Sequence, residues 1–235
     1  MLDCVSVSNM RLSDSNTIKS GISGLELIHR AAMAVYNTVK WSGRIAIFVG
    51  GGNNGADGFA LAGILKENNY DVTVISVSRN LHSDCAFYAS NAEKCGVPII
   101  SYKAGETNLE DYGIIVDCLL GTGFHGPLKD SYIDAICSIN SSNAYVVSVD
   151  INSGMNGDTG DGEYVVQSDL TIAIQFVKIG QTFLTAGAYM RKLKCVDIGI
   201  QLAFEEYKLC SNDEWERVRE KSNRRYIIAP KWLEM

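Results

Sequence analysis

No stretch of roughly 18 apolar residues occurs in the 235-residue chain, and no basic start is followed by an apolar block of signal-peptide length. Neither membrane spanning nor secretion is therefore expected. Histidine is scarce, at three, and no carboxylate stands around the histidines at metal-ligand spacing. The seven cysteines include no CxxC pair. An odd number set among apolar neighbours, as in VDCLL and LKCVDI, suits buried thiols in a reducing compartment rather than a disulfide frame or a zinc site. The expected location is cytoplasmic, with a mitochondrial one open for a eukaryotic source. Positive charge is in deficit: 21 Lys and Arg against 27 Asp and Glu give a net charge of -6. Such a molecule repels polyanions unless a local basic patch overrides its mean field. The nearest basic stretch is Arg217, Arg219, Lys221, Arg224, Arg225 and Lys231, interrupted by Asp213, Glu214, Glu216 and Glu220, and it reads first as a solvated helix face.

What is present is an ordinary globular composition, 46% apolar and 20% charged, enough for one substantial core. In SGLELIHRAAMAVYNTV, Ser23 followed by Glu26 has the form of a capping box, and Leu25, Ile28, Ala32, Val35 and Val39 line one helix face. The more polar NMRLSDSNTIKSG before it predicts a helical arm ending near Gly21 and packing outside the sheet. A strand over 44–49, a glycine loop over 50–57, a helix over 58–68 and a strand over 71–77 then compose a βαβ unit. Helices over 83–95 and 131–140 and strands over 97–100, 114–117, 145–149, 170–174 and 193–198 continue the pattern. Strands apolar on both faces belong in a parallel sheet covered on both sides. The fold class expected is α/β, a three-layer αβα Rossmann-like sandwich with a mostly parallel central sheet. From about 201 the pattern weakens, and EWERVREKSNRR predicts a terminal helix before a poorly specified end.

Polar residues gather at the carboxyl ends of the strands, where such sheets bind ligands. The loop Gly50-Gly51-Gly52-Asn53-Asn54-Gly55-Ala56-Asp57-Gly58 has GxGxxG spacing, which brings backbone and a helix N-terminus close to phosphate. The next strand ends VSVSRN without the acid that would hold a ribose diol, and the GK[ST] ending of a Walker A loop is absent; neither an ordinary dehydrogenase nor a P-loop enzyme is indicated. A tight glycine turn without a ligand is the bland alternative. A second cluster runs from Asp117 through Gly121-Thr122-Gly123-Phe124-His125-Gly126-Pro127, with Asp117 readable also as a simple turn cap, and a third from Asp150 through Ser153. Three strand-end loops of one parallel sheet converge in space, which joins Asp57, Asp117 and Asp150. Oxygens of Asn54, Asp117 and Ser153 are hard donors, suited to an alkali or alkaline-earth cation and poorly suited to zinc.

The strings GGGNNGADG, VDCLLGTGFHGP and VVSVDINSGMNGDTG, then Lys178 with Gly180, and VDIGI at 196–200, resemble in order the YjeF N-terminal domain family, the NAD(P)H-hydrate epimerases. The opening NMRLSDSNTIKSGISGLELIHRAA is similar to that family's arm and first helix. The resemblance implies an epimerase domain over 1–200 and a partly helical extension over 201–235 that is no separate domain. It implies interconversion of the R and S forms of hydrated NADH or NADPH, with a separate dehydratase as functional partner, a homodimer, and no nucleic-acid or membrane partner. By the same resemblance, substrate is bound by Asn53, Asn54, Gly55, Ala56 and Asp57, by Gly121, Thr122, Gly123, Phe124, His125, Gly126 and Pro127, and by Asp150, which is also the catalytic residue. Asn54, Asp117 and Ser153 would hold a potassium ion. The residues agree with the chemistry: loss of a hydroxyl beside the ring nitrogen gives an iminium-like cation, and a carboxylate can stabilise it while water returns to either face.

The chain departs from the family's pattern at three places. Asn152 stands where proline is common, relaxing the backbone there; His29 replaces an acidic or amide residue; and Arg191-Lys192-Leu193-Lys194 makes one edge more basic. The rival function is a non-catalytic YjeF-like module for protein or RNA interaction, using the 217–225 charges. A nucleotide transferase on the same fold lacks a clear transfer nucleophile.

Overall fold

The computed structural model describes residues 1–218 and 225–235. In chain order the elements are β1 (Leu2–Val5), α1 (Val7–Lys19), α2 (Gly24–Thr38), β2 (Ile45–Val49), α3 (Asn53–Glu67), β3 (Val72–Ser76), α4 (Ser83–Lys94), β4 (Ile99–Ser101), β5 (Ile114–Cys118), α5 (Asp130–Asn140), β6 (Tyr145–Val149), β7 (Leu170–Ile174), β8 (Val177–Lys178), β9 (Leu193–Val196), β10 (Tyr207–Cys210), α6 (Asn212–Val218) and β11 (Arg225–Ile228). Seven strands form the main sheet in the order β4-β3-β2-β5-β6-β7-β9, all pairs parallel. Chain order runs outward both ways from β2 and β5. The crevice at their carboxyl ends is thus the topological switch point, where open α/β sheets bind ligands.

Alternation along β2 sets the layers. Ile45, Ile47 and Val49 face a core shared with α2, α3 and α4, whereas Ala46 and Phe48 face Ala135, Ile136 and Ile139 of α5. The α/β sandwich is as expected, but its second face has an unequal cover. Beyond α5 it is closed by a third cluster built from Cys4, Ile151, Val177, Leu193, Leu209 and Leu233. This cluster underlies a four-stranded sheet, β11-β10-β1-β8, whose strands lie at both ends of the sequence.

Helix α2 starts at Ser23, whose hydroxyl accepts from the Glu26 amide at 3.1 Å; Glu26 itself turns to Arg30 one turn on, at 2.7 Å. Helix α1 is polar yet packed, because its buried positions Asn9, Ser13 and Thr17 recur every four residues and bond chiefly to backbone, with Glu206 Oε2 also accepting from Asn9 Nδ2 at 3.1 Å. Asn9 Nδ2 donates to Phe204 O at 2.8 Å, and the amides of Ala203 and Gln201 donate to Ser13 Oγ and Thr17 Oγ1, each at 3.0 Å. The arm is therefore clasped by residues 201–206.

Two boundaries correct the expectation. Helix α3 begins at Asn53, not 58, so Asn53 to Asp57 form its first turn; asparagine and glycine are weak helix formers and disguise it. The expected terminal helix covers only Asn212–Val218, residues 219–224 lie outside the described ones, and the remaining tail supplies β10 and β11.

Candidate active site

A cleft of about 560 Å³ opens at the switch point, lined by Asn53, Asn54 and Asp57 of α3, by Gly121 to Phe124 after β5 and by Asp150 after β6, with Asp14 of α1 across from them. Close backbone approach builds its floor. A Cβ at Gly50 would lie 2.0 Å from Leu119 O, and one at Gly55 would lie 2.1 Å from Gly50 O, whereas one at Gly52 would meet nothing within 4 Å. The glycines at 50 and 55 are thus packing requirements, and Gly52 leaves open space over the uncapped N-terminus of α3, where amides and dipole favour an anion.

Asp150 terminates β6 in the left-handed region, φ 67°, which aspartate tolerates better than most residues. The turn is fixed from three directions: its amide donates to Ile172 O at 2.8 Å, Gln181 Nε2 donates to its carbonyl at 3.0 Å, and its carboxylate is ion-paired with Lys178 Nζ. Lys178 is wholly buried, while the Asp150 side chain keeps 17% of its surface exposed. The pair therefore presents an anion to the cleft and hides its cation beneath.

Asp57 is pushed well above the usual carboxylate range, first by burial, then by Asp150 and Asp14, with Lys178 opposing. Asp14 is raised by burial and by Asp150. The cleft thus holds carboxylates in distinct settings: Asp150 ion-paired with a buried lysine, and Asp57 buried and disposed to keep a proton. Native Asp57 holds its proton more tightly than the unfolded chain, so its stabilisation is full below the ordinary value, 3.8, and is lost as pH rises through its raised pKa. We expect Asp57→Asn to flatten the fall of the urea midpoint over that window; parallel midpoint curves for variant and parent would show that Asp57 titrates normally.

Asp117 lies underneath, fully buried. Oδ1 accepts from the Leu119 amide at 3.2 Å and from Ser153 Oγ, and Oδ2 from Ser148 Oγ and the Ser153 amide, both at 2.9 Å. Burial raises its pKa against the pull of these donors. Asn54 Nδ2 donates to Leu120 O at 2.9 Å, but its Oδ1 is buried without a hydrogen-bond partner. Leu120 O, 2.9 Å from Asn54 Nδ2, also lies 3.2 Å from Ser153 Oγ, so the unpartnered Asn54 oxygen, the Leu120 carbonyl and the Ser153 hydroxyl are hard oxygen donors joined through one loop.

Among the residues named from sequence, Gly55 and Ala56 are buried within the first turn of α3 and do not line the cleft. His125, Gly126 and Pro127 instead border a second cavity of about 360 Å³, with Asp161 and Glu163; His125 Nδ1 lies 2.9 Å from Gly123 O. The pairing of Lys178 with Asp150, the anchoring by Gln181 and the cleft positions of Asp14 and Arg11 were not foreseen. The available signal was a lone lysine inside the apolar string QFVKIG.

Asn152 corrects the expectation of a relaxed loop. Its Nδ2 meets Val166 O at 2.8 Å and Ser168 Oγ and Tyr189 O at 3.0 Å, while its Oδ1 accepts from Thr171 Oγ1 at 2.6 Å. Rigidity comes from the side chain rather than from a proline ring. Asn152→Ala is expected to cost about 3 kcal/mol, because several buried partners lose a bond at once; a denaturation midpoint within error of the parent would refute this anchoring.

The family model described as YjeF-related protein N-terminus matches residues 24–180. This chain belongs to the YjeF N-terminal family. It is 33% identical over 189 residues to an NAD(P)H-hydrate epimerase of Rhodopirellula baltica, covering 77% of each chain. To an NAD(P)H-hydrate epimerase of Limosilactobacillus fermentum it is 30% identical, over 82% of this chain and 95% of that one. A bifunctional NAD(P)H-hydrate repair enzyme of Archaeoglobus fulgidus is 32% identical over 87% of this chain, which spans only 43% of that relative. The crystal structure of yeast ynu0 shares the fold, with a TM-score of 0.70 at 19% identity over 90% of this chain and 98% of that one. The matched stretch contains Asp57, Asp150 and the two glycine loops that line the cleft.

Proposed function

We propose that this YjeF-family chain is an NAD(P)H-hydrate epimerase, an isomerase acting on the R and S hydrates of NADH and NADPH in nicotinamide nucleotide repair. The observation that carries the reading is the pairing, in one cleft, of an anionic Asp150 seated on buried Lys178 with an Asp57 whose pKa is raised. Relatives named as NAD(P)H-hydrate epimerases over most of their length support it. The hydrate carries its hydroxyl on the carbon next to the ring nitrogen. Asp57 gives a proton to the departing hydroxyl, water leaves, and the carboxylate of Asp150 stabilises the iminium-like cation. Return of the same water to the other face and of the proton to Asp57 completes the change of hand, with no net redox change. The glycine loops and the N-terminus of α3 hold the phosphate-bearing framework.

Potassium is part of this proposal. Asn54, Asp117, Ser153 and the Leu120 carbonyl would hold it, supported by the partnerless Asn54 Oδ1, and bound there it would supply positive charge that keeps the loops in register. Thermal melts in potassium chloride should exceed those in tetramethylammonium chloride, and Asn54→Ala should abolish the difference; an equal difference in the variant would place the ion elsewhere. The reading extends to a homodimer, functional coupling to a separate NAD(P)H-hydrate dehydratase, and a reducing cytoplasmic setting consistent with seven free thiols. No helix among the described residues is long and apolar enough to cross a membrane.

The deciding experiment incubates pure protein, in potassium, with the R hydrate alone and follows the S hydrate. Acceleration over the spontaneous rate is expected; its absence with folded protein would refute the enzyme.

A further inference from the structure

The chain's last residues return to the main sheet behind the active site. The Leu193 amide donates to Trp232 O at 2.7 Å and the Glu234 amide donates to Leu193 O at 2.9 Å, which lays the tail along edge strand β9. Leu233 enters the third core cluster beside Ile151 and Val177. The Glu234 carboxylate takes Lys192 at 3.0 Å and Lys194 at 3.1 Å, so the tail is ion-paired to the basic edge. Between these anchors the Trp232 indole lies directly on Gly187, 2.6 Å from where a Cβ would stand, and its Nε1 donates to Gln181 O at 3.1 Å.

Gln181 links that contact to the chemistry. It is fully buried, and its amide uses both ends: Nε2 donates to Asp150 O at 3.0 Å, and Oε1 accepts from the Lys178 amide at 2.9 Å. One side chain thus fixes the backbone of both members of the ion pair. Asp150 sits in a left-handed conformation at a strand end, a sparsely populated state that persists only when its surroundings hold it.

We propose that Trp232 is a positioning residue for Asp150: through Gln181, the tail holds the Asp150–Lys178 pair in register with the cleft. Trp232 does not line the cleft, so its loss acts on turnover rather than on substrate binding. This inference rests on the epimerase reading for its kinetic effect, and on the hydrogen bonds alone for its structural one.

The test compares the full chain with Trp232→Phe, which keeps a ring over Gly187 but lacks the N–H, with Gln181→Ala, and with the double variant. Trp232→Phe is expected to lower kcat about tenfold, as a small misplacement of a reacting group does, with KM unchanged. In the Gln181→Ala background the same substitution should add nothing. A folded Trp232→Phe with parental kcat, or effects that multiply in the double variant, would overturn the proposal. Hydrogen exchange supplies a readout independent of activity and of whether Gln181→Ala folds. In Trp232→Phe, peptides covering 150–153 and 178–182 should exchange faster while those covering 45–49 do not change. Equal exchange everywhere overturns the proposal even if the parent proves inactive, and faster exchange in an inactive parent's variant upholds it while the epimerase reading falls.

Discussion

Asp150→Asn is expected to slow conversion of the R hydrate to the S hydrate by at least about tenfold, because its charge no longer faces the iminium-like cation. The substitution is nearly isosteric, and asparagine tolerates the positive φ of this turn as aspartate does, so the backbone bonds from the Gln181 side chain and to Ile172 O need not change. What changes is the sign of the field. With the carboxylate gone, the buried Lys178 ammonium remains behind a neutral amide and opposes the cation that forms when the hydroxyl leaves. The loss should therefore appear in kcat more than in KM, because the proposed binding of the phosphate-bearing framework uses the loops around Gly52 and Gly121, which line the cleft apart from this carboxylate. Single-turnover kinetics with the R hydrate checks it. An unchanged rate constant would remove Asp150 from the mechanism and leave Asp57 or Asp14 as the reacting carboxylate.

Much of this was legible in the residues, and the parts that were not share physical causes. Strands β6 and β7 fell on their expected residues, 145–149 and 170–174, because an apolar run of β-branched residues bounded by polar loops has few other readings. The cleft followed from the same logic, since parallel strands send their carboxyl-end loops to one rim. The start of α3 was misplaced because Asn53, Asn54 and Gly55 are chosen for contact and close approach rather than for helix propensity. Strands β1, β8, β10 and β11 were not foreseen: their two to four residues are too few for periodicity, and their pairing joins opposite ends of the chain. Helix α1 looked like an external arm because its buried face is Asn9, Ser13 and Thr17, satisfied by backbone amides and a carbonyl from residues 201–204. No local pattern announces a polar seam whose partner lies so far along the chain. The basic stretch behind the rival interaction function falls partly on 219–224, outside the described residues, while Arg225 stacks on Tyr207 at 5.6 Å.

The largest stability effect is expected from the same ion pair, and it is asymmetric. Asp150→Asn leaves the wholly buried Lys178 ammonium with a neutral carbonyl, Ile174 O at 3.1 Å from Nζ, in place of its carboxylate; stranding a buried charge costs about 3–5 kcal/mol. Lys178→Met leaves the opposite partner, but the Asp150 side chain keeps 17% of its surface in the cleft, where water can solvate it, so the loss should be smaller. Combining Asp150→Asn with Lys178→Met removes the stranded cation and replaces it with an apolar side chain of similar length at a wholly buried position. The double variant should regain most of the stability lost by Asp150→Asn while remaining as slow. Urea denaturation at constant m-value measures the first half of that statement and single-turnover kinetics the second. If the two losses of stability simply added, Lys178 would be supporting something other than Asp150, and the buried ammonium would need a different explanation from the one that makes the cleft work.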